Sequence, residues 1–131
     1  MFSRGPIPPL VHGILDYVLA GVLIAAPFIL SFDETAATVL AIVAGLGALL
    51  LAAFTAWTTG IVKSIPVVAH AILDYLLCIL LIVSPFLFGF NDDDTAAAFF
   101  VVLGIAGLLL TVATRFTPAT GEPRERRPRP A

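Results

Sequence analysis

Four long apolar stretches dominate this chain, running from about Leu10 to Phe32, Ala36 to Trp57, Val67 to Phe90 and Ala96 to Ala113. Each reaches or approaches the roughly 20 residues that a helix needs to cross a hydrocarbon layer of about 30 Å. No period-2 alternation runs through them, and they are too long for strands. Backbone polar groups in lipid must find partners within their own segment, which leaves helices. Composition agrees: charged residues make up 12% of the 131, about half the share of a typical soluble domain. A polar surface cannot be assembled from so few charges, so hydrocarbon must supply part of the solvent.

The first two stretches recur as the last two. Pro8, His12, Ile14, Leu15, Asp16, Tyr17, Leu19, Leu23, Ile24, Pro27, Phe28 and Phe32 return, at one constant offset, as Pro66, His70, Ile72, Leu73, Asp74, Tyr75, Leu77, Leu81, Ile82, Pro85, Phe86 and Phe90. After a small insertion in the acidic loop, Thr35, Ala36, Ala37 and Gly47 match Thr95, Ala96, Ala97 and Gly107. This is an internal duplication of a two-helix unit. An even number of helices per unit sends both copies across the membrane in the same direction, with the pseudo-two-fold axis along the membrane normal. The expected fold is an all-α transmembrane four-helix bundle made of two parallel-repeat helical hairpins. Its expected divisions are an N-terminal segment 1–9, repeat 1 over 10–58, a linker 59–65, repeat 2 over 66–116, and a Pro/Arg tail 117–131 of a composition that stays disordered. A secretory signal peptide is excluded for the first segment, because the same segment recurs in mid-chain.

Charge sets the expected orientation. All the basic residues (Arg4, Lys63, Arg115, Arg124, Arg126, Arg127 and Arg129) fall at one end of the helices, and Asp33, Glu34, Asp92, Asp93 and Asp94 at the other. The positive-inside rule places the basic end, with both termini, in the cytoplasm. Trp57, Tyr17 and Tyr75 lie toward that end, where interfacial anchors are found. The lone Cys78 has no intrachain partner and rules out a disulfide framework.

Two pairs carry whatever chemistry the chain has: His12 with Asp16, and His70 with Asp74. Spacing i, i+4 puts both members on one face of a helix. A carboxylate at mid-membrane costs about 2.5–3.5 kcal/mol on insertion scales, less toward the edge, so each aspartate should face the protein interior and have a partner. Three readings remain open for this quartet: a structural tie between the first and third helices, an ion, proton or metal site, or a haem clamped between His12 and His70. No cofactor is expected on the first reading. Pro27 and Pro85 either kink their helices or start the exit into the hairpin. Gly45, Gly47, Gly104 and Gly107 are read as packing sites, with homodimerisation the alternative. A nucleophile triad, a glycine-rich phosphate loop, CxxC and HExxH are all absent, so no enzyme is expected. From Gly21 to Leu30 and from Ile79 to Phe88 the only polar side chain is Ser84, which argues against a continuous polar conduit through one chain.

Ser84-Pro85-Phe86, followed by Gly89-Phe90, and its copy Ala26-Pro27-Phe28 resemble the signature of the bacterial SPW-repeat membrane proteins, which reads Ser-Pro-Trp, a short apolar stretch and often Gly-Phe. The chain departs from it at Phe28 and Phe86, where the family has tryptophan, and at Ala26, where it has serine. The resemblance implies two-helix membrane repeats and a bacterial cell membrane, and brings no established activity. The sequence therefore reads as a small, multi-pass inner-membrane protein with a structural or accessory role. It is surrounded by lipid and has no nucleic-acid partner; a homo-oligomer or a membrane-protein partner is compatible with it. The alternative role is an ion-, proton- or metal-binding transport unit that uses the quartet.

Overall fold

The computed structural model describes residues 5–116. Arg4, the tail arginines and the disordered-tail expectation lie outside the described residues. Within them the chain forms four helices: α1 (Pro9–Ile29), α2 (Thr35–Phe54), α3 (Val67–Leu87) and α4 (Asp94–Ala113). They are 21, 20, 21 and 20 residues long. At 1.5 Å per residue this is about 30 Å, a bilayer crossing, and all four are apolar enough to span. Helix α1 packs chiefly on α2, and α3 on α4, with lighter contacts between α2 and α3 and between α1 and α4.

Small residues make up much of the buried set, beside Leu23, Leu81, Phe90 and Phe100, while many large aliphatic side chains face outward. The buried set includes Ala20, Ala37, Ala41, Ala44, Ala48, Ala52, Ala71 and Ala96. Phe28, Ile29 and Phe86 are 69%, 75% and 72% exposed, on surfaces that meet hydrocarbon. Lipid tails are as apolar as leucine, so association in the membrane depends on close approach rather than on burial from water. A Cβ on Gly45 would lie 2.7 Å from Ile24 and 3.0 Å from the Ala20 carbonyl, and one on Gly104 would lie 2.7 Å from Ile82 and 2.9 Å from the Cys78 carbonyl. These two glycines are where each hairpin closes. Gly107 abuts the Cys78 sulfur, whereas Gly47 has no neighbour where its Cβ would stand, so Gly47 is not a packing site within the chain.

Those contacts correct the alignment of the second helices. Gly45 plays the part of Gly104. The buried positions Ala37, Ala41, Gly45 and Ala52 of α2 correspond to Ala96, Phe100, Gly104 and Thr111 of α4. Thr35 therefore matches Asp94, one residue earlier than the Thr35–Thr95 match read from letters. A shared Thr-Ala-Ala string slides easily in an alanine-rich helix, and the buried positions fix the register that the letters leave loose. For α1 and α3 the sequence match holds at every buried position: His12, Gly13, Asp16, Ala20, Leu23, Ala26 and Pro27 map onto His70, Ala71, Asp74, Cys78, Leu81, Ser84 and Pro85.

The odd helices end earlier than the apolar runs suggest. Ser31 and Gly89 take positive φ, 53° and 73°, and the next amides turn back: Phe32 N–H donates to the Pro27 carbonyl at 3.1 Å and Phe90 N–H to that of Pro85 at 2.9 Å. This is a left-handed helix stop. Phe32 and Phe90 then fold back onto the apolar core. Pro27 and Pro85 stand in the last turn of their helices, at the exit into the hairpin. A proline has no N–H, so the carbonyl four residues earlier loses its helical donor. For Pro85 that carbonyl belongs to Leu81, and the Ser84 hydroxyl donates to it at 2.8 Å. The Ser-Pro pair thus supplies its own repair. Ala26 cannot do the same for the Leu23 carbonyl.

At the acidic end one side chain binds both repeats. Asp93, the N-cap of α4, accepts from the Ala96 amide at 3.0 Å through Oδ1, while its Oδ2 accepts from the amides of Asp33 at 2.8 Å and Glu34 at 3.1 Å. It therefore caps its own helix and holds the loop that leads into α2, whose N-cap Glu34 makes no side-chain cap.

Two tests follow from these ends. Burial pushes the Asp93 carboxyl up, but the amides of Ala96, Glu34, Asp33 and Thr95 outweigh it and hold the group below the usual carboxylate range. A depressed folded-state value gives stability that is complete above the ordinary aspartate value of about 4 and is lost as pH falls through the folded value. Thermal melts in detergent should show that acid loss, and Asp93→Asn should flatten it. Separately, Ser84→Ala should destabilise by about 1 kcal/mol and Ala26→Ser should stabilise by a similar amount, as expected for one buried hydrogen bond lost or gained. Equal melting temperatures for all three proteins would contradict the repair.

Candidate functional site

The quartet assembles at the opposite end of the bundle, one to two turns inside α1 and α3. Residue exposures are 1% for His12, 6% for Asp16, 1% for His70 and 9% for Asp74, so all four face the protein interior. Their ligand atoms lie within 4.8 Å of one another. His12 Nε2 is 3.2 Å from Asp16 Oδ1 and 2.9 Å from Asp74 Oδ2. His70 Nε2 is 3.1 Å from Asp16 Oδ2 and 3.0 Å from Asp74 Oδ2. Each imidazole thus touches its own aspartate and that of the other repeat, giving a closed ring of alternating base and acid. The i, i+4 spacing sets each pair on one face, and the duplication turns the two faces toward each other.

Two threonines fix the orientation of the imidazoles. His12 Nδ1 is 2.7 Å from Thr114 Oγ1, and His70 Nδ1 is 2.7 Å from Thr55 Oγ1. Each threonine hydroxyl already donates its single proton to a carbonyl one turn back, Thr114 to Leu110 at 2.7 Å and Thr55 to Leu51 at 2.5 Å. The threonine oxygens can therefore only accept, and both Nδ1 atoms must carry hydrogen. Both Nε2 atoms consequently point at the carboxylates, and each facing pair needs a proton between nitrogen and oxygen, on one partner or the other. Of the four contacts only His12 Nε2–Asp74 Oδ2 has the direction of a hydrogen bond. His70 Nε2 and Asp16 Oδ2 make none, although their distance suits an ion pair.

Aromatic rings cover the ring of charges. The centroid of Trp57 is 4.3 Å from that of His70 and 5.7 Å from that of His12. Phe116 lies edge-on to His12 at 5.0 Å, and Trp57 and Phe116 stack with a 16° interplanar angle. Trp57 is 7% exposed. It is a lid on the quartet and not the headgroup anchor expected from its position. Tyr17, half-buried, donates from its hydroxyl to the Thr59 carbonyl at 2.8 Å, tying α1 to the segment after α2.

The residues that sequence reasoning singled out for chemistry all meet here. Those it missed are Thr55, Thr114 and the two lid aromatics. Their signal was present: Thr55-Ala56-Trp57 and Thr114-Arg115-Phe116 repeat a Thr-x-aromatic step directly after each even helix. The signature residues Ala26, Pro27, Phe28, Ser84, Pro85 and Phe86 belong to the other end, with Phe28 and Phe86 turned outward.

Four spanning helices in two fused hairpins, with a buried ionisable ring where the hairpins meet, define a multi-pass membrane protein built by duplication. The chain matches the SPW repeat domain over residues 10–114, and it belongs to that family. No curated protein and no solved structure matches it.

Breaking the ring at one point should be worse than removing a whole contact. His12→Leu strands Asp16 and Asp74 with a single imidazole and should destabilise by about 3–5 kcal/mol. The quadruple replacement of the ring by apolar residues of similar volume should cost less. Asp16→Asn, whose amide still hydrogen-bonds, should keep the fold. Chemical or thermal unfolding in detergent ranks these variants, and a quadruple variant less stable than His12→Leu would refute the order.

Proposed function

We propose that this protein is a small, non-enzymatic component of the bacterial inner membrane, with both termini in the cytoplasm, in a structural or accessory role. In this reading the quartet is a polar lock that holds two otherwise lipid-soluble hairpins in one register. The observation that carries it is the ring itself: every member contacts both repeats' partners, and the flanking threonines and aromatics are all spent in orienting and covering it. Transport receives little support. Beyond the quartet toward the acidic end, Ser84 and Thr111 turn their hydroxyls to the Leu81 and Gly107 carbonyls, and an outer groove of about 430 Å³ is lined by Val18, Gly21, Val22, Ala25, Ala26, Ile29, Leu30 and Phe99, with nothing to carry an ion. The orientation rests on the one-sided Lys and Arg distribution, to which the described structure adds exposed Lys63 and Arg115 at the quartet end.

Cysteine labelling tests the orientation. In a Cys78→Ala background, Asp33→Cys should react with an impermeant maleimide from outside intact cells and Thr120→Cys should not; the opposite pattern would overturn it. The lock reading predicts that Asp16→Asn and Asp74→Asn together loosen the association of the two repeats. Repeats expressed as separate chains should co-purify in the wild type and do so markedly less in the double variant. Unchanged co-purification would remove the lock from the proposal.

A further inference from the structure

We propose that the ring of His12, Asp16, His70 and Asp74 is a binding site for one divalent transition-metal ion of the zinc class, held by both Nε2 atoms and one oxygen from each carboxylate. The inference uses the ring described above and goes beyond the lock reading, which stands without it.

The first argument is tautomeric. The threonine contacts oblige both Nδ1 atoms to carry hydrogen, so in a neutral imidazole the lone pair lies on Nε2, directed into the ring. A ligating histidine needs that arrangement, with its other nitrogen donating to a fixed acceptor. Here each repeat provides one, Thr114 for His12 and Thr55 for His70.

The second argument is the unfilled valence. His70 Nε2 and Asp16 Oδ2 are buried and make no hydrogen bond, on residues that are 1% and 6% exposed. Both are aimed at the centre of the ring. They lie 3.1 Å apart without a directed hydrogen bond between them, and a central cation satisfies both atoms at once.

Size and charge agree. Metal–ligand bonds of about 2.0–2.1 Å in a tetrahedral site put neighbouring ligands about 3.3–3.4 Å apart. With Oδ2 taken from each aspartate, three nitrogen–oxygen distances are 2.9–3.1 Å. Ligand atoms from all four residues lie within 4.8 Å of one another, so the short separations open and the longer ones close around a central ion. Two carboxylates and two neutral imidazoles balance a 2+ ion. Uptake of the ion releases the two protons that the ring otherwise shares, and the net charge held within the apolar bundle does not change. Imidazole donors favour a transition ion over magnesium or calcium.

The test uses full-length protein without a histidine tag, purified in detergent, stripped with chelator and dialysed against micromolar Zn²⁺. Elemental analysis should find about one zinc per chain, and His70→Gln and Asp16→Asn should lose it. Thr55→Val keeps all four ligands and should weaken zinc binding about 10-fold. Co²⁺ in place of zinc should give an intense visible band of a four-coordinate site with nitrogen ligands. Because Co²⁺ reports on the wild type, the test stands even where a ligand variant fails to fold. Wild-type protein that retains no zinc, zinc retained equally by folded ligand variants, or a six-coordinate water-like Co²⁺ spectrum would each overturn the metal site. The co-purification of separated repeats would be untouched by any of these, so the lock and the metal site fail independently.

Discussion

A carboxylate inside a hydrocarbon layer has to be answered by another polar group, and most of this architecture can be traced to two such carboxylates. Asp16 and Asp74 lie on helices whose remaining surface is soluble in lipid in almost any orientation. Alkyl side chains do not distinguish a lipid neighbour from a protein neighbour strongly. The aspartates do, because only an imidazole of the same or the other repeat relieves them. The ring therefore sets the rotation of α1 and α3 about their own axes and their relative depth. The even helices follow, since each contributes a threonine that orients one imidazole and an aromatic that covers it.

The two ends of the bundle solve the same problem with different chemistry. At one end four side chains share a buried ring. At the other, a single buried carboxylate, Asp93, receives amides from both repeats, capping α4 and holding the loop that leads into α2. Between them the contacts are apolar and steric: alanines, Leu23, Leu81, Phe90 and Phe100, and the two glycines that admit Ile24 and Ile82. Polar fastening at both ends with close apolar packing between is well suited to a medium in which the hydrophobic effect gives no direction.

Much of this was legible in the letters, for physical reasons. Span number and helix type follow from hydrocarbon thickness and backbone hydrogen bonding, and need no tertiary knowledge. The quartet was visible because ionisable residues are rare in apolar runs, and the repeat showed it twice. What escaped were residues whose role depends on a neighbour from another helix. Thr55 and Thr114 look like ordinary helix-end threonines until the histidines are placed beside them. Trp57 near a helix end is usually an interfacial anchor, and nothing in one strand of text shows that it turns inward over His70. The register of α2 on α4 slipped by one residue because alanine repeats carry little information; the glycine contacts decided it. The early ends of α1 and α3 depended on positive φ at Ser31 and Gly89, and only the glycine announced itself.

One feature at the quartet end bears on how such a chain arose. Just before α3, Ile65 pairs in parallel with Thr55 just after α2, and just before α1, Ile7 pairs in parallel with Thr114 just after α4. The first pairing joins residues 10 positions apart, and the second reproduces it between residues 107 positions apart. The peptide between the repeats is therefore not what shapes their junction. A single hairpin carrying one His/Asp pair, one threonine and one lid aromatic contains every element needed to complete the ring with a copy of itself. Gene fusion of such a homodimer would add stoichiometry without altering the interface, and would free the two halves to diverge. Ser84 against Ala26, and Trp57 against Phe116, are what that divergence looks like.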